Sequence, residues 1–413
     1  MQQSKYNIVL NKDNIFLLYN NISGEVIIMG IDKYQEFLTN NLSENEKVVF
    51  QKRGFYVPDN FSEYDFLLAR SKMNDIRSKT SKFRILTTTT CNANCFYCYE
   101  QGVKPFFMNE KVIDDTINFI IDNSKNSNNI SIEWFGGEPL LNVNAIDRIV
   151  EGLKKSMKTN QYFYSNIVSN GSLITDEIAY KMKNTWNIKD VQITIDGVDD
   201  AYDKIKLIDS FTFKDIISKI QILIKHQIKV SIRVNYNQYN LKDIEKVIKF
   251  FSESEMKDDI HLYASKIFDF KQRNFYNLEE ETIYVDRLLH QYGFTYGKDL
   301  LPKIMKQPCQ ANKIDYFTLN ANGDVFKCDR KLLADDRIGH VSNFQHDLKK
   351  VYQWINPNLP EKCKDCVLMP NCWGGCIYDR INQLDYCYYT LDILKNRLSM
   401  VLEDYMKTRG HNL

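Results

Sequence analysis

Ten cysteines fall into three groups and leave long stretches of the chain without a thiol. Cys91, Cys95 and Cys98 stand at Cys-x3-Cys-x2-Cys spacing. Cys309 and Cys328 lie far downstream, and Cys363, Cys366, Cys372, Cys376 and Cys387 close the series. The chain has 413 residues, and its amino terminus shows no cationic start followed by an apolar run, so the disulfide framework of a small exported domain is not expected. Clustered thiols in a reducing compartment more often bind metal. Zinc sites commonly mix Cys with His, yet the 6 histidines lie outside these groups. Histidine-free thiolate sets also suit iron–sulfur centres. Three thiols on one tight loop can ligate three irons of a 4Fe–4S cube and leave the fourth iron open as a binding site.

The elements that would position these thiols are legible in the hydrophobic pattern. From residue 82 strands alternate with helices: strands are expected at 83–90, 130–135, 166–169, 191–195, 230–235 and 260–264, the first five each followed by a helix. One apolar stripe is Val112, Ile113, Ile117, Ile120 and Ile121; another is Ile244, Val247, Ile248 and Phe251. Six such repeats predict an α/β fold, a partial (β/α)6 barrel short of the eight units that close a full one. The three-thiol loop then sits at the end of the first strand, where barrel enzymes build their sites. Residues 1–80 read as a separate unit of three strands (6–10, 15–19, 25–29) and three helices. It has a capping box at Ser43 and Glu46, a stop at Gly54, and a winged-helix-like order. A barrel is expected over 81–300, and a cysteine-rich, irregular domain over 301–413 ends in an amphipathic helix near 391–405.

Cys91, Cys95 and Cys98, with Tyr97 before the third thiol, resemble the radical S-adenosylmethionine (SAM) superfamily. The resemblance extends to successive strand ends. Gly136-Gly137-Glu138-Pro139 matches the element that binds the amino end of SAM, and Ser169-Asn170-Gly171 matches the ribose-side turn. Asp196 with Gly197, and Arg233 with Asn235, end the next two strands. Where relatives often carry His and Arg, Tyr202 and Lys206 stand, and no role passes to them. The carboxy-terminal spacing resembles the SPASM extension, which holds two auxiliary iron–sulfur clusters. That resemblance implies one cluster on Cys363, Cys366, Cys372 and Cys387, and a second on Cys309, Cys328 and Cys376. Seven thiols serve two cubes that need eight, so one iron is expected to lack a cysteine ligand and to be able to take a substrate thiolate. Asp329, directly after Cys328, corresponds to a residue thought to accept a substrate proton in the sulfatase-maturing branch. The plain alternative is an ion pair with Lys327 or Arg330.

The implied cofactors are SAM and three iron–sulfur clusters: one SAM-binding 4Fe–4S and two auxiliary, of the 4Fe–4S type. The implied activity is modification of a ribosomally made precursor peptide, a cysteine-containing one among the candidates, by a 5′-deoxyadenosyl radical. Oxidation to a thioether or carbon–carbon crosslink would follow, with a reductant such as flavodoxin or ferredoxin. Sulfatase maturation is the alternative with the same chemistry; a non-enzymatic zinc-binding interaction protein is the alternative of another class. Composition sets the outer limits. With 54 Lys+Arg against 53 Asp+Glu the formal charge is +1, which argues against a nucleic-acid partner. No apolar run approaches a membrane span, and a cytoplasmic location is expected.

Overall fold

The computed structural model describes residues 1–98, 100, 102–267, 278–302, 304, 309–330, 332–343, 345–384, 387 and 389–408. The chain opens with four short strands: β1 (Gln2–Gln3), β2 (Asn7–Lys12), β3 (Ile15–Asn20) and β4 (Val26–Gly30). Helices α1 (Ile31–Leu38) and α2 (Glu44–Lys52) follow, then β5 (Tyr56–Val57), which pairs with β1, and α3 (Glu63–Arg77). Strands β2, β3 and β4 form an antiparallel sheet. The Ser43–Glu46 capping box opens α2, and Gly54 follows its end at φ +84°. The three-stranded sheet and three helices follow the order expected of the first segment, and the two-residue strands β1 and β5 are added to them.

Six parallel strands then alternate with helices: β6 (Thr80–Thr88), β7 (Asn129–Gly136), β8 (Tyr162–Ser169), β9 (Ile188–Thr194), β10 (Lys229–Tyr236) and β11 (Ile260–Lys266). Between them run α4 (Glu110–Asn123), α5 (Val143–Ser156), α6 (Asp176–Asn184), α7 (Asp200–Lys206), α8 (Phe213–Lys225) and α9 (Leu241–Glu253). The strands are ordered as they occur in the chain, and every neighbouring pair among them is parallel. One face of this sheet is closely packed: Ile85, Ile132, Ile167, Ile193 and Ile232, which share that face by register, are all fully buried. The α9 stripe of Ile244, Val247, Ile248 and Phe251 is fully buried too, as expected. In α4 the buried face is Val112, Ile113, Thr116, Phe119 and Ile120.

After α10 (Leu278–Gln291) the chain returns to this sheet. β12 (Tyr316–Leu319) pairs parallel with β6, and β13 (Asp324–Phe326) and β14 (Gly339–His340) extend it antiparallel to nine strands, followed by α11 (Leu348–Ile355). The division expected at 80 and 300 is therefore redrawn by packing. One compact unit holds residues 78–277 with 313–356; the other holds 1–77, 278–312 and 357–413. In the latter, α12 (Met369–Cys372), α13 (Ile377–Ile381) and α14 (Leu391–Thr408) complete the structure.

Strand β3 shows why the first segment does not stand apart. Phe16 and Leu18 face Phe37, Phe50 and Phe55 on one side. Leu17 and Tyr19, alternating with them, face Leu368, Leu394, Leu398 and Leu402 on the other. A second patch joins Tyr6 and Leu67 to Met369 and Trp373. Polar contacts reinforce it: Asn21 Nδ2 donates to the Val367 carbonyl at 2.7 Å and Lys5 Nζ to the Lys364 carbonyl at 2.7 Å. Among the described residues no helix is long and apolar enough to cross a membrane.

Candidate active site

The run of threonines before Cys91 is a set of hydroxyl anchors. Thr87 donates to the Pro139 carbonyl at 3.1 Å, Thr88 to the Phe106 carbonyl at 2.8 Å and Thr89 to the Lys104 carbonyl at 2.8 Å. The last two close the base of the loop that carries Cys91, Cys95 and Cys98. Thr87 and Thr88 end β6 and Thr89 follows it, and Thr88 and Thr89 each satisfy a carbonyl of the returning chain, so strand end and loop are fixed together.

Gly136 and Gly137 each make one close approach inside the protein. They admit the protein's own backbone, namely the residues leading into Cys91. A Cβ on Gly136 would lie 2.2 Å from the Thr88 carbonyl oxygen, and one on Gly137 only 2.3 Å from that of Thr90. Gly136 also takes φ +112°, where a side chain is strained. The Glu138 N–H then donates to the Thr90 carbonyl at 2.9 Å. The end of β7 is thereby laid against the start of the cysteine loop.

Glu138 is fully buried and its carboxylate is engaged within the protein. It accepts from Leu140 N–H at 3.0 Å, the Ser169 hydroxyl at 2.9 Å and Asn170 N–H at 2.7 Å. Burial pushes its pKa up to about 7, against the lowering effect of these donors. Three acceptor sites of about four are used. Asn170 carries the network onward, its Nδ2 donating to Asn92 Oδ1 at 2.8 Å and lying 3.7 Å from the Cys91 sulfur. Ser172 bridges the same pair, accepting from Asn92 Nδ2 at 2.9 Å and donating to Asn170 Oδ1 at 2.7 Å. The sequence reading missed Asn92 and Ser172.

A second network reaches the loop from the other side. Asp196 Oδ1 accepts from Asn235 N–H at 2.7 Å, and its Oδ2 accepts from the Tyr97 hydroxyl. Lys206 Nζ donates to Asp196 Oδ2 at 3.2 Å and to the Tyr97 oxygen at 2.9 Å. Burial works against the Lys206 charge, but the Asp196 carboxylate and Tyr97 outweigh it and hold the ammonium well above its ordinary range. The Lys206 carbonyl accepts from Asn94 N–H at 2.9 Å, so α7 ends on the cysteine loop. Tyr202 packs against Phe213. Lys206 is thus a site residue to which the sequence reading gave no role. Asn235 Oδ1 accepts from Arg233 Nε at 2.9 Å, extending this network along β10.

The three thiols are half-buried and within each other's electrostatic reach, Cys95 acting on both Cys91 and Cys98. Burial pushes Cys91 up to about 11 and raises Cys95 and Cys98. As thiolates these are soft donors beside amide N–H groups, a set that fits an iron–sulfur cluster. In the other unit Cys363 lies within reach of Cys372, Cys366 and Cys387, which are the four thiols the resemblance groups together. Cys309 and Cys376 lie in that unit as well, whereas Cys328 belongs to the barrel. Among the described residues no three of His, Cys, Asp and Glu converge on a single ion.

Asp329 is paired differently from the expected alternative. Arg84 Nη1 lies 2.5 Å from Asp329 Oδ2, and Arg84 Nη2 lies 2.6 Å from Glu133 Oε2. Lys327 instead donates to the Tyr316 carbonyl at 2.6 Å. Arg84 comes from β6, more than two hundred residues upstream of Asp329, and no local pattern marks the pairing.

Residues 85–251 match the Radical SAM superfamily model. The radical SAM cyclopropyl synthase TigE of Paramaledivibacter caminithermalis is 24% identical over 438 aligned positions, covering 91% of this chain and 89% of that one. Among solved structures, native anSMEcpe with bound AdoMet superposes with a TM-score of 0.60 at 18% identity, covering 79% of this chain and 98% of that one. Streptococcus suis SuiB bound to precursor peptide SuiA gives 0.54 at 15% identity, covering 94% and 99%. The non-enzymatic zinc protein is set aside by these matches. The cysteine loop at the head of a parallel sheet, the strand-end networks that hold it and the family match agree: residues 85–251 form a radical SAM domain.

Proposed function

We propose that this enzyme modifies a ribosomally made precursor peptide, forming an oxidised product such as a thioether or carbon–carbon crosslink. The observation that carries the proposal is the pairing of two thiol sets in one chain: the loop of Cys91, Cys95 and Cys98, and the four-thiol group around Cys363. Similarity to TigE, and to SuiB, which was crystallised with a precursor peptide, supports a peptide substrate.

When bound, a 4Fe–4S cluster with SAM on its open iron supplies the one-electron reduction that releases a 5′-deoxyadenosyl radical, which takes a hydrogen atom from the peptide. The chain's own residues position that chemistry. Gly136, Gly137, Glu138, Ser169 and Asn170 at the β7 and β8 ends, Tyr97 on the cysteine loop, Asp196 just after β9, and Arg233 and Asn235 on β10 are proposed for the SAM site, the first five also holding the loop. Cys363, Cys366, Cys372 and Cys387, with Cys309, Cys328 and Cys376, are proposed to hold two auxiliary clusters that receive the electron left on the substrate. A flavodoxin or ferredoxin is proposed as reductant, and a cysteine-containing peptide as a partner for an auxiliary iron without a fourth cysteine.

The alternative, formylglycine formation, draws on Asp329 as proton acceptor, and here the Arg84 guanidinium already engages that carboxylate. The decisive experiment replaces Cys91, Cys95 and Cys98 with Ala. Deoxyadenosine formation is expected to cease while roughly four irons are lost and the auxiliary iron stays. Wild-type rates of SAM cleavage in that variant would sink the assignment. Incubating the intact enzyme with a short peptide encoded beside its gene is expected to give a product lacking two hydrogens.

A further inference from the structure

Arg380 lies on α13, one turn beyond Cys376, with part of its hydrogen-bonding capacity unused. Nη1 donates to the Asn358 carbonyl at 3.2 Å. Nε and Nη2 are shielded from solvent and have no hydrogen-bond partner among the described residues. A guanidinium cannot shed its charge, so buried donors without acceptors are costly and rarely left that way. The groups around it are sulfurs. Burial drives the Arg380 pKa down, and Cys363, Cys376, Cys372 and Cys309 act in the opposite sense. Two of these, Cys363 and Cys372, belong to the four-thiol group; Cys309 and Cys376 belong to the other set.

The neighbouring turn is shaped toward sulfur as well. Trp373, Gly374 and Gly375 all have positive φ (51°, 73° and 78°). The Gly375 N–H donates to the Cys372 carbonyl at 3.0 Å, and the Gly375 and Gly374 amides lie near enough to the Cys372 thiol to favour its charged form. A run of backbone N–H groups curled in this way makes a concave site for negative charge. Backbone amides thus face one thiol set, while the Arg380 guanidinium, which acts on thiols of both sets, has two N–H groups without a partner among the described residues.

We propose that Arg380 is a shared outer partner of the two auxiliary iron–sulfur centres, donating Nε–H and Nη2–H to their sulfurs and holding both reduction potentials up. The inference rests on the reading of these cysteines as cluster ligands. Reducing a cluster adds one negative charge, and a buried fixed cation favours the reduced form because little water screens it. Hydrogen bonds to cluster sulfurs act in the same direction. A planar fork can address sulfurs of two centres at once, which an ammonium on a flexible stem does less well. Each centre would then accept the substrate's electron more readily.

The test uses the Cys91→Ala, Cys95→Ala, Cys98→Ala chain, in which only auxiliary clusters remain, with Arg380 intact or changed to Gln or Lys. Iron content and redox titrations followed by electron paramagnetic resonance are read together. For Arg380→Gln with iron retained, the reduced-to-oxidised ratio of both centres at the wild-type midpoint should fall at least tenfold, about 59 mV for one electron. Arg380→Lys keeps the charge and loses the fork, so a smaller fall of about twofold to fivefold is expected. Should the Gln variant lose iron, the Lys variant decides alone: a fall supports the proposal and an unchanged ratio overturns it. Unchanged potentials with full iron in both variants, or a shift at one centre only, overturn it too. If the triple variant with Arg380 intact holds no iron, the cluster reading falls and this inference falls with it.

Discussion

Glu138 buries a carboxyl among three donors, and its pKa of about 7 lies above the 4.5 of a free side chain. The stabilisation linked to its bound proton is complete below about pH 4.5 and is lost as pH rises through about 7. For the metal-free chain, the expected loss between pH 4.5 and 8 is on the order of 3 kcal/mol from this group. Denaturant titrations of wild type and Glu138→Gln across that range should differ in slope, the variant being flatter. Lys206 makes the opposite kind of contribution. Replacing it with Met leaves Asp196 buried without its cation, at a cost of about 3–5 kcal/mol. Adding Asp196→Asn to that variant should recover part of the loss, since the uncompensated charge is gone. A double-mutant cycle in urea measures the coupling, and additive losses would remove the ion pair from the account.

Strand ends, taken as elements, hold the site by backbone proximity. Gly137→Ala puts a methyl 2.3 Å from the Thr90 carbonyl oxygen and 2.9 Å from the Cys91 nitrogen, so the cysteine loop must move. Deoxyadenosine formation is expected to drop about a hundredfold, as for a reacting group displaced by an ångström, while auxiliary iron is retained. Wild-type turnover would show that the loop tolerates the shift. At this scale the six parallel strands were legible because each is a short segment rich in apolar residues, and the first five are each followed by a periodic helix. The thiols were legible because their spacing is local. β12 was not, since its four residues, Tyr316–Leu319, are too few to show a period. Neither was the Arg84–Asp329 pair, which no sequence interval encodes. Lys206 was hidden for another reason: in a run of Asp, Lys and Tyr a buried lysine looks like a solvated one until Asp196 is seen beside it.

For the molecule as a whole, the discontinuous unit matters most. Deleting residues 1–77 would uncover Leu368, Leu394, Leu398 and Leu402, and with them the framework that carries Cys363, Cys366 and Cys372. The truncated chain is expected to aggregate and to lose auxiliary iron, measured as iron per soluble chain; full auxiliary iron would show that 357–413 stands alone. The same architecture sets an order in time. Residues 78–356 lie between the first and last of that unit's three segments, and at about 5–20 residues per second their synthesis takes roughly 15–55 s. Through that interval β3 waits with the Leu17 and Tyr19 side uncovered, while the barrel, whose strands pair in chain order, can already assemble on the ribosome. The thiols at 363–387 are made after the loop at 91–98, so a cell loading this enzyme with metal meets that loop first and the auxiliary sites later.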